Sequence, residues 1–199
     1  MALFDFTGIP DDPTKIQDGS GDRPTPGKGM ALITGWEEYG GANGQAHKLS
    51  LEIVSWTNPQ DVAKRHDENI FHKDNSGKGF PQKRMTCLAM AAGLFTANDV
   101  KKWKAAGTQP DIDIANLVGR AIMIELVEEQ DKNDASKKYI RIGNIGLGFW
   151  HIKDPRCKGW PVNQAVINRV HSIVGDWVVE EKPAASKPAA SGNPFAGAV

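Results

Sequence analysis

The stretch Ala46–Trp56, AHKLSLEIVSW, constrains the fold more than any other segment. Leu49, Leu51 and Ile53 alternate with Lys48, Ser50, Glu52, Val54 and Trp56. Successive side chains of a strand point to opposite faces, so one face of this strand is apolar and half buried. The other face is expected to carry Lys48 and to end in Trp56. An aromatic ring beside a cation on a sheet face suits stacking on nucleobases and neutralisation of phosphates.

Around this strand the pattern reads strand, strand, strand, helices, strand, strand. Met30–Tyr39 precedes it, and the intervening GGANGQ supplies the Gly and Asn of a tight reversal. Asn69–Lys73 is a short third strand. The segment FPQKRMTCLAMAAGLF places Met85, Leu88, Ala89, Ala92 and Phe95 at helical spacing, with Lys83 and Arg84 on the other side. Thr96 followed by Asp99 forms a capping-box pattern for a second helix, Ala97–Ala105, with Val100 and Trp103 on its buried side. Two strands close the body, Arg120–Glu128 and Lys138–Ile145, joined by the charged loop EQDKNDASKK. In the first, Ile122, Ile124 and Leu126 share a face. In the second, Ile140 and Ile142 face the core while Tyr139 and Arg141 face away.

A three-strand meander, a helical insertion and a two-strand hairpin is the element order of an OB-fold. The predicted class is therefore mainly β with a helical insertion, an OB-fold-like five-stranded barrel; an open sheet packed on the helices is the alternative. Residues 1–28 read as an extended Pro/Gly/Asp-rich N-terminal arm, 29–180 as the globular body, and 181–199 as a disordered Ala/Pro/Ser tail.

Lysine plus arginine equals aspartate plus glutamate, 24 each, which argues against a purely electrostatic, histone-like binder and leaves room for a local basic face. No apolar run approaches the roughly 18 residues that span a bilayer, so no membrane partner is expected. The start MALFDFTGIPDDP lacks a basic segment followed by an apolar one, so no secretory signal is expected. Cys87 and Cys157 form neither a disulfide framework nor a paired-cysteine zinc site, and a reducing cytoplasm is the default compartment.

The candidate nucleic-acid-binding residues follow from the outward strand faces and from one cationic segment. The strands offer Trp36 (outward if Ile33 points inward), Lys48, Trp56, Tyr139 and Arg141, with Lys137 and Lys138 beside them. The segment HKDNSGKGFPQKR adds Lys73, Lys83 and Arg84 in a cationic loop leading into a helix. Trp150 and Trp160, in a loop-rich stretch, are expected to pack rather than bind. No P-loop spacing and no nucleophile elbow is present, and neither His66 with His72 nor His151 with Cys157 has zinc-ligand spacing. No catalytic residue, metal or cofactor is expected. Glu125, Glu128, Asp111 and Asp113 define the alternative, a magnesium-dependent nuclease; a virion or scaffold protein is a third reading.

Several strings share the pattern of a known group. These are MALFDF at the start, the Gly-Lys-Gly before the first strand, KLSLEI, the small-residue helix LAMAAGLF, and IANLVGRAIMIELVEE followed by a charged loop and KKYIRIGNI. Over residues 1–150 the chain resembles phage-encoded single-stranded DNA-binding proteins, the group first catalogued as a phage domain of unknown function. The resemblance implies an OB-like fold, binding of single-stranded DNA during phage replication or recombination in the host cytoplasm, and no catalysis. Self-association and contacts with phage replication or recombination proteins stay open. Pro194-Phe195 lies in a tail without aspartates and is followed by AGAV, so it reads as a linker rather than an acidic docking tip.

Overall fold

The structure, a computed structural model, describes residues 23–41, 44–71, 80–108, 113–131 and 133–174. Strands β1 (Gly27–Gly41) and β2 (Gly44–Trp56) form a long antiparallel hairpin. The free edge of β2 pairs with β3 (Arg65–Phe71), and the start of β1 pairs with β4 (Ala121–Gln130). Strand β5 (Lys138–Ile142) pairs with β4, and after one helical turn the two-residue β6 (Phe149–Trp150) pairs with β4 as well. The result is a six-stranded antiparallel open sheet in the order β3-β2-β1-β4-β5, with β6 off this path and paired to β4. Helices α1 (Phe80–Ala91) and α2 (Ala97–Ala106) connect β3 to β4, and α3 (Gln164–Val174) follows β6.

Two register shifts in the β1–β2 ladder decide which side chains face inward. Met30 pairs with Ser55 while Ala31 pairs with Ile53, which leaves Val54 extra on β2. Ile33 pairs with Leu51 while Gly35 pairs with Ser50, which leaves Thr34 extra on β1. One inserted residue reverses the alternation beyond it. Trp56 therefore falls on the same face as Ile53, and Trp36 on the same face as Ile33. This corrects the outward direction expected for both rings.

The inner face carries the main core: Ile33, Leu49, Leu51, Ile53, Trp56, Ile70, Ile122, Ile124, Leu126 and Ile142, covered by Leu88 and Ala91 of α1 and by Ala92 just after it. Trp56 is 3% exposed, and its indole lies against the backbone of Gly27 and Gly29. A Cβ at Gly29 would stand 2.1 Å from the Ser55 carbonyl oxygen and 2.8 Å from the ring. The Gly-Lys-Gly string is thus the bed on which the indole lies. Part of the outer face is covered too. Met30, Val54, Ala121, Met123, Trp150, Cys157 and Val170 of α3 form a second cluster, with Trp160 packed against it. Trp150 and Trp160 pack, as expected.

Helix α2 opens on the anticipated capping box and ends at Gly107 in the left-handed conformation at φ 64°. Its own side chains stay outside the core, so Val100 and Trp103 are half-buried rather than buried. Helix α3 was not anticipated. Its start is capped by Asn163, whose Oδ1 accepts from Val166 N at 3.2 Å and whose Nδ2 donates to the Val54 carbonyl at 3.3 Å. One side chain thereby starts a helix and satisfies the bulge carbonyl it packs over.

The gap between edge strands β3 and β5 is spanned by side chains. Arg84 of α1 donates to the Gly146 carbonyl after β5 (3.0 Å), to the Asn69 carbonyl of β3 (3.1 Å) and to Glu68 Oε1 (2.7 Å). Glu68 Oε2 accepts from Ile142 N of β5 and faces His66 Nε2, each at 3.3 Å. Gly146, at φ 73°, leaves room for the guanidinium, since a Cβ there would stand 2.9 Å from Arg84 Nε.

Candidate nucleic-acid interface

Strand parity divides the candidate residues between the two faces. On the outer face, β2 presents Lys48, Ser50 and Glu52, β3 presents Arg65, Asp67 and Asn69, and β1 presents Glu37. Tyr139 and Arg141 of β5 lie on this same face, opposite Glu129 and Val127. Lys138 does not. It pairs with Gln130 on the side of Ile140 and Ile142, because adjacent residues of a strand alternate. Lys137 sits in the β4–β5 loop and Lys83 on the exposed side of α1. Lys73 lies outside the described residues.

Three candidates have other roles. Trp56 is a core residue whose Nε1 donates to the Thr25 carbonyl at 3.2 Å. Arg84 is buried and committed to the β3–β5 gap. Trp36 is half-buried on the inner face of the hairpin, stacked on His47 with ring centroids 4.4 Å apart. The outer face thus keeps one proposed aromatic, Tyr139, with the Arg141 guanidinium 5.5 Å from its ring centroid. The Asp131 carboxylate beside the Tyr139 hydroxyl favours the protonated phenol and pushes its pKa up. That carboxyl is held below its ordinary range by the Asn133 amide and then by Tyr139.

Three of the proposed contact cations are already engaged, whereas Arg65 is exposed. Lys48 lies 3.8 Å from Glu37 and 3.9 Å from Asp67. Lys137 lies 3.2 Å from Asp134, and Arg141 lies 3.9 Å from Glu129. On the inner side, Lys138 pairs with Glu128 at 2.7 Å. Arg65 and Asn69 join the outer face although the strand was expected to start later, at Asn69. The signal was the parity of RHDENIF, hidden because its inner positions hold His66 and Glu68 beside Ile70.

The carboxylates named for a nuclease serve local structure. Glu125 pairs with Lys28 at 3.1 Å, and Asp113 accepts from Ala115 N at 2.9 Å at the start of a 3-10 turn. Asp111 lies outside the described residues. Among the described residues, no three His, Cys, Asp or Glu side chains gather as metal ligands. A separate cleft of about 310 Å³ lies between α1 and the 149–156 segment, lined by Cys87, Met90, Phe95, Trp150, His151 and Arg156 among others. Burial raises the Cys87 thiol and carries Cys157 up to about 11, so both are protonated at neutral pH. Among the described residues, no helix is long and apolar enough to cross a membrane.

Compared with protein-family models and with curated proteins, the sequence gives no match.

Proposed function

We propose that the chain is an OB-like protein that binds single-stranded DNA on the outer face of its sheet, without catalysis. One observation carries the reading: the strand order β3-β2-β1-β4-β5 with helices inserted between β3 and β4. That is the connectivity of an OB barrel opened at the β3–β5 pair, and Arg84 and Glu68 bridge that opening. OB barrels take oligonucleotides on the β2–β3 face and on the loops β1–β2 and β4–β5. In this chain the β2–β3 face holds Lys48, Ser50, Arg65 and Asn69, the β4–β5 loop holds Lys137, and β5 beside that loop presents Tyr139 and Arg141. Stacking on Tyr139 tolerates any base, which suits binding with little sequence preference. The sequence resemblance to phage-encoded single-stranded DNA-binding proteins points the same way.

The test is a fluorescence-anisotropy titration of labelled mixed-sequence and oligo-dT strands at low salt. Saturable binding by micromolar protein is expected, with duplex DNA of the same length bound more weakly. Tyr139→Ala should weaken binding by about 1–3 kcal/mol with the melting temperature unchanged. Anisotropy that stays flat for every single strand would overturn the reading.

A further inference from the structure

Resting on the reading that the outer face binds single-stranded DNA, we infer that Glu37, Asp67 and Glu129 are internal competitors that occupy the phosphate positions and set the affinity. Lys48 sits between two carboxylates at nearly equal distance, 3.8 and 3.9 Å, and Arg141 stands 3.9 Å from Glu129. These separations are long beside the 2.7 Å of Lys138 with Glu128. A long, exposed pair gives little stability. The side chains concerned are solvent-accessible: Glu37 is 70% exposed, Asp67 55% and Glu129 48%. Such carboxylates can swing aside when a phosphate arrives, but they remain within a few ångströms of it and repel it.

The arrangement is also consistent in placement. Glu37, Lys48 and Asp67 occupy neighbouring strands of one face, and Arg141 and Glu129 meet diagonally on the same face. At both positions the cation is matched or outnumbered by acid. A surface selected only for tight capture of a polyanion would leave its cations free. This one exchanges an internal anion for an external one, which keeps binding weak enough to reverse.

The experiment compares the full chain with Asp67→Asn, Glu37→Gln, Glu129→Gln and Glu38→Gln in the same anisotropy titration, at two salt concentrations. Glu38 is the control: it removes the same charge from the adjacent, exposed residue of β1, whose side chain lies on the opposite face. Each of the first three should tighten binding about threefold to tenfold at low salt and steepen its salt dependence, and Glu38→Gln should change affinity less than about twofold. Binding by the unaltered chain with no tightening in the three variants overturns this inference and leaves the proposed function standing. Equal tightening by Glu38→Gln overturns it too, because bulk charge would then explain the effect. Binding that appears only in the three variants supports it. Failure of all five proteins to bind overturns the proposed function itself.

Discussion

Trp56 shows how one side chain can match a functional pattern and serve another purpose. Its position after an alternating strand suits a stacking ring, yet the Val54 insertion turns it into the core, over Gly27 and Gly29. Trp56→Ala should therefore cost about 3–5 kcal/mol in chemical denaturation, as large aromatic-to-alanine changes in cores do. Arg84 is a second such residue. Arg84→Met leaves the Glu68 carboxylate buried beside Ile142 without its cation, and a loss of about 3–5 kcal/mol is expected. Adding Glu68→Leu should recover most of it, measured as a denaturation midpoint. Burial opposes the charge on Glu68, but the His66 hydrogen bond and Arg84 outweigh it and hold the carboxyl below the ordinary 4.5. Its contribution is complete above that value and is lost as the pH falls through the depressed folded one.

At the scale of elements, the strands and the capped helix α2 were legible because apolar spacing and capping chemistry are local. Leu49, Leu51 and Ile53 needed no partner to show which face was buried. The bulges were not legible. Thr34 and Val54 are ordinary strand formers, and only their pairing across the hairpin shows that each is one residue too many. Two of the expected outward aromatics were lost to that parity change, while Tyr139 and Arg141, on a strand without a register shift, lie on the face their alternation indicated. Helix α3 left a readable trace in Asn163, Val166, Ile167 and Val170, but its apolar residues complete a cluster that exists only once Met30 and Met123 are placed. The segment between β6 and α3 makes a pH-dependent contribution. Burial, then Lys153, lowers the His151 pKa to about 4, against a smaller opposing effect of Asp154. The unfolded chain takes up this proton near 6.5 and the folded one does not. Stability should therefore decline as the pH drops from about 6.5 to about 4, and His151→Gln should flatten that slope in thermal melts.

The whole molecule has equal numbers of acidic and basic residues, and its proposed binding face repeats that balance locally. Counting Lys48, Arg65, Lys137 and Arg141 as the phosphate contacts, log affinity for single strands should fall against log salt with a slope of about −3. A slope of about −5 or steeper in the anisotropy titration would mean that a larger basic surface, outside these residues, carries the binding.

The long strand β1 has one more consequence. Among the described residues, the β3–β2 half of the sheet and the β4–β5 half share ladder hydrogen bonds through β1, and their side chains meet in the core under α1 and at the Arg84–Glu68 bridge. Strand β1 is therefore a torsion bar. Twisting one half about it strains few backbone hydrogen bonds, and the shared core and the Arg84 guanidinium resist that twist together. Cutting the bridge would leave the apolar core alone to resist that twist, with the two sides of the outer face riding on opposite leaves.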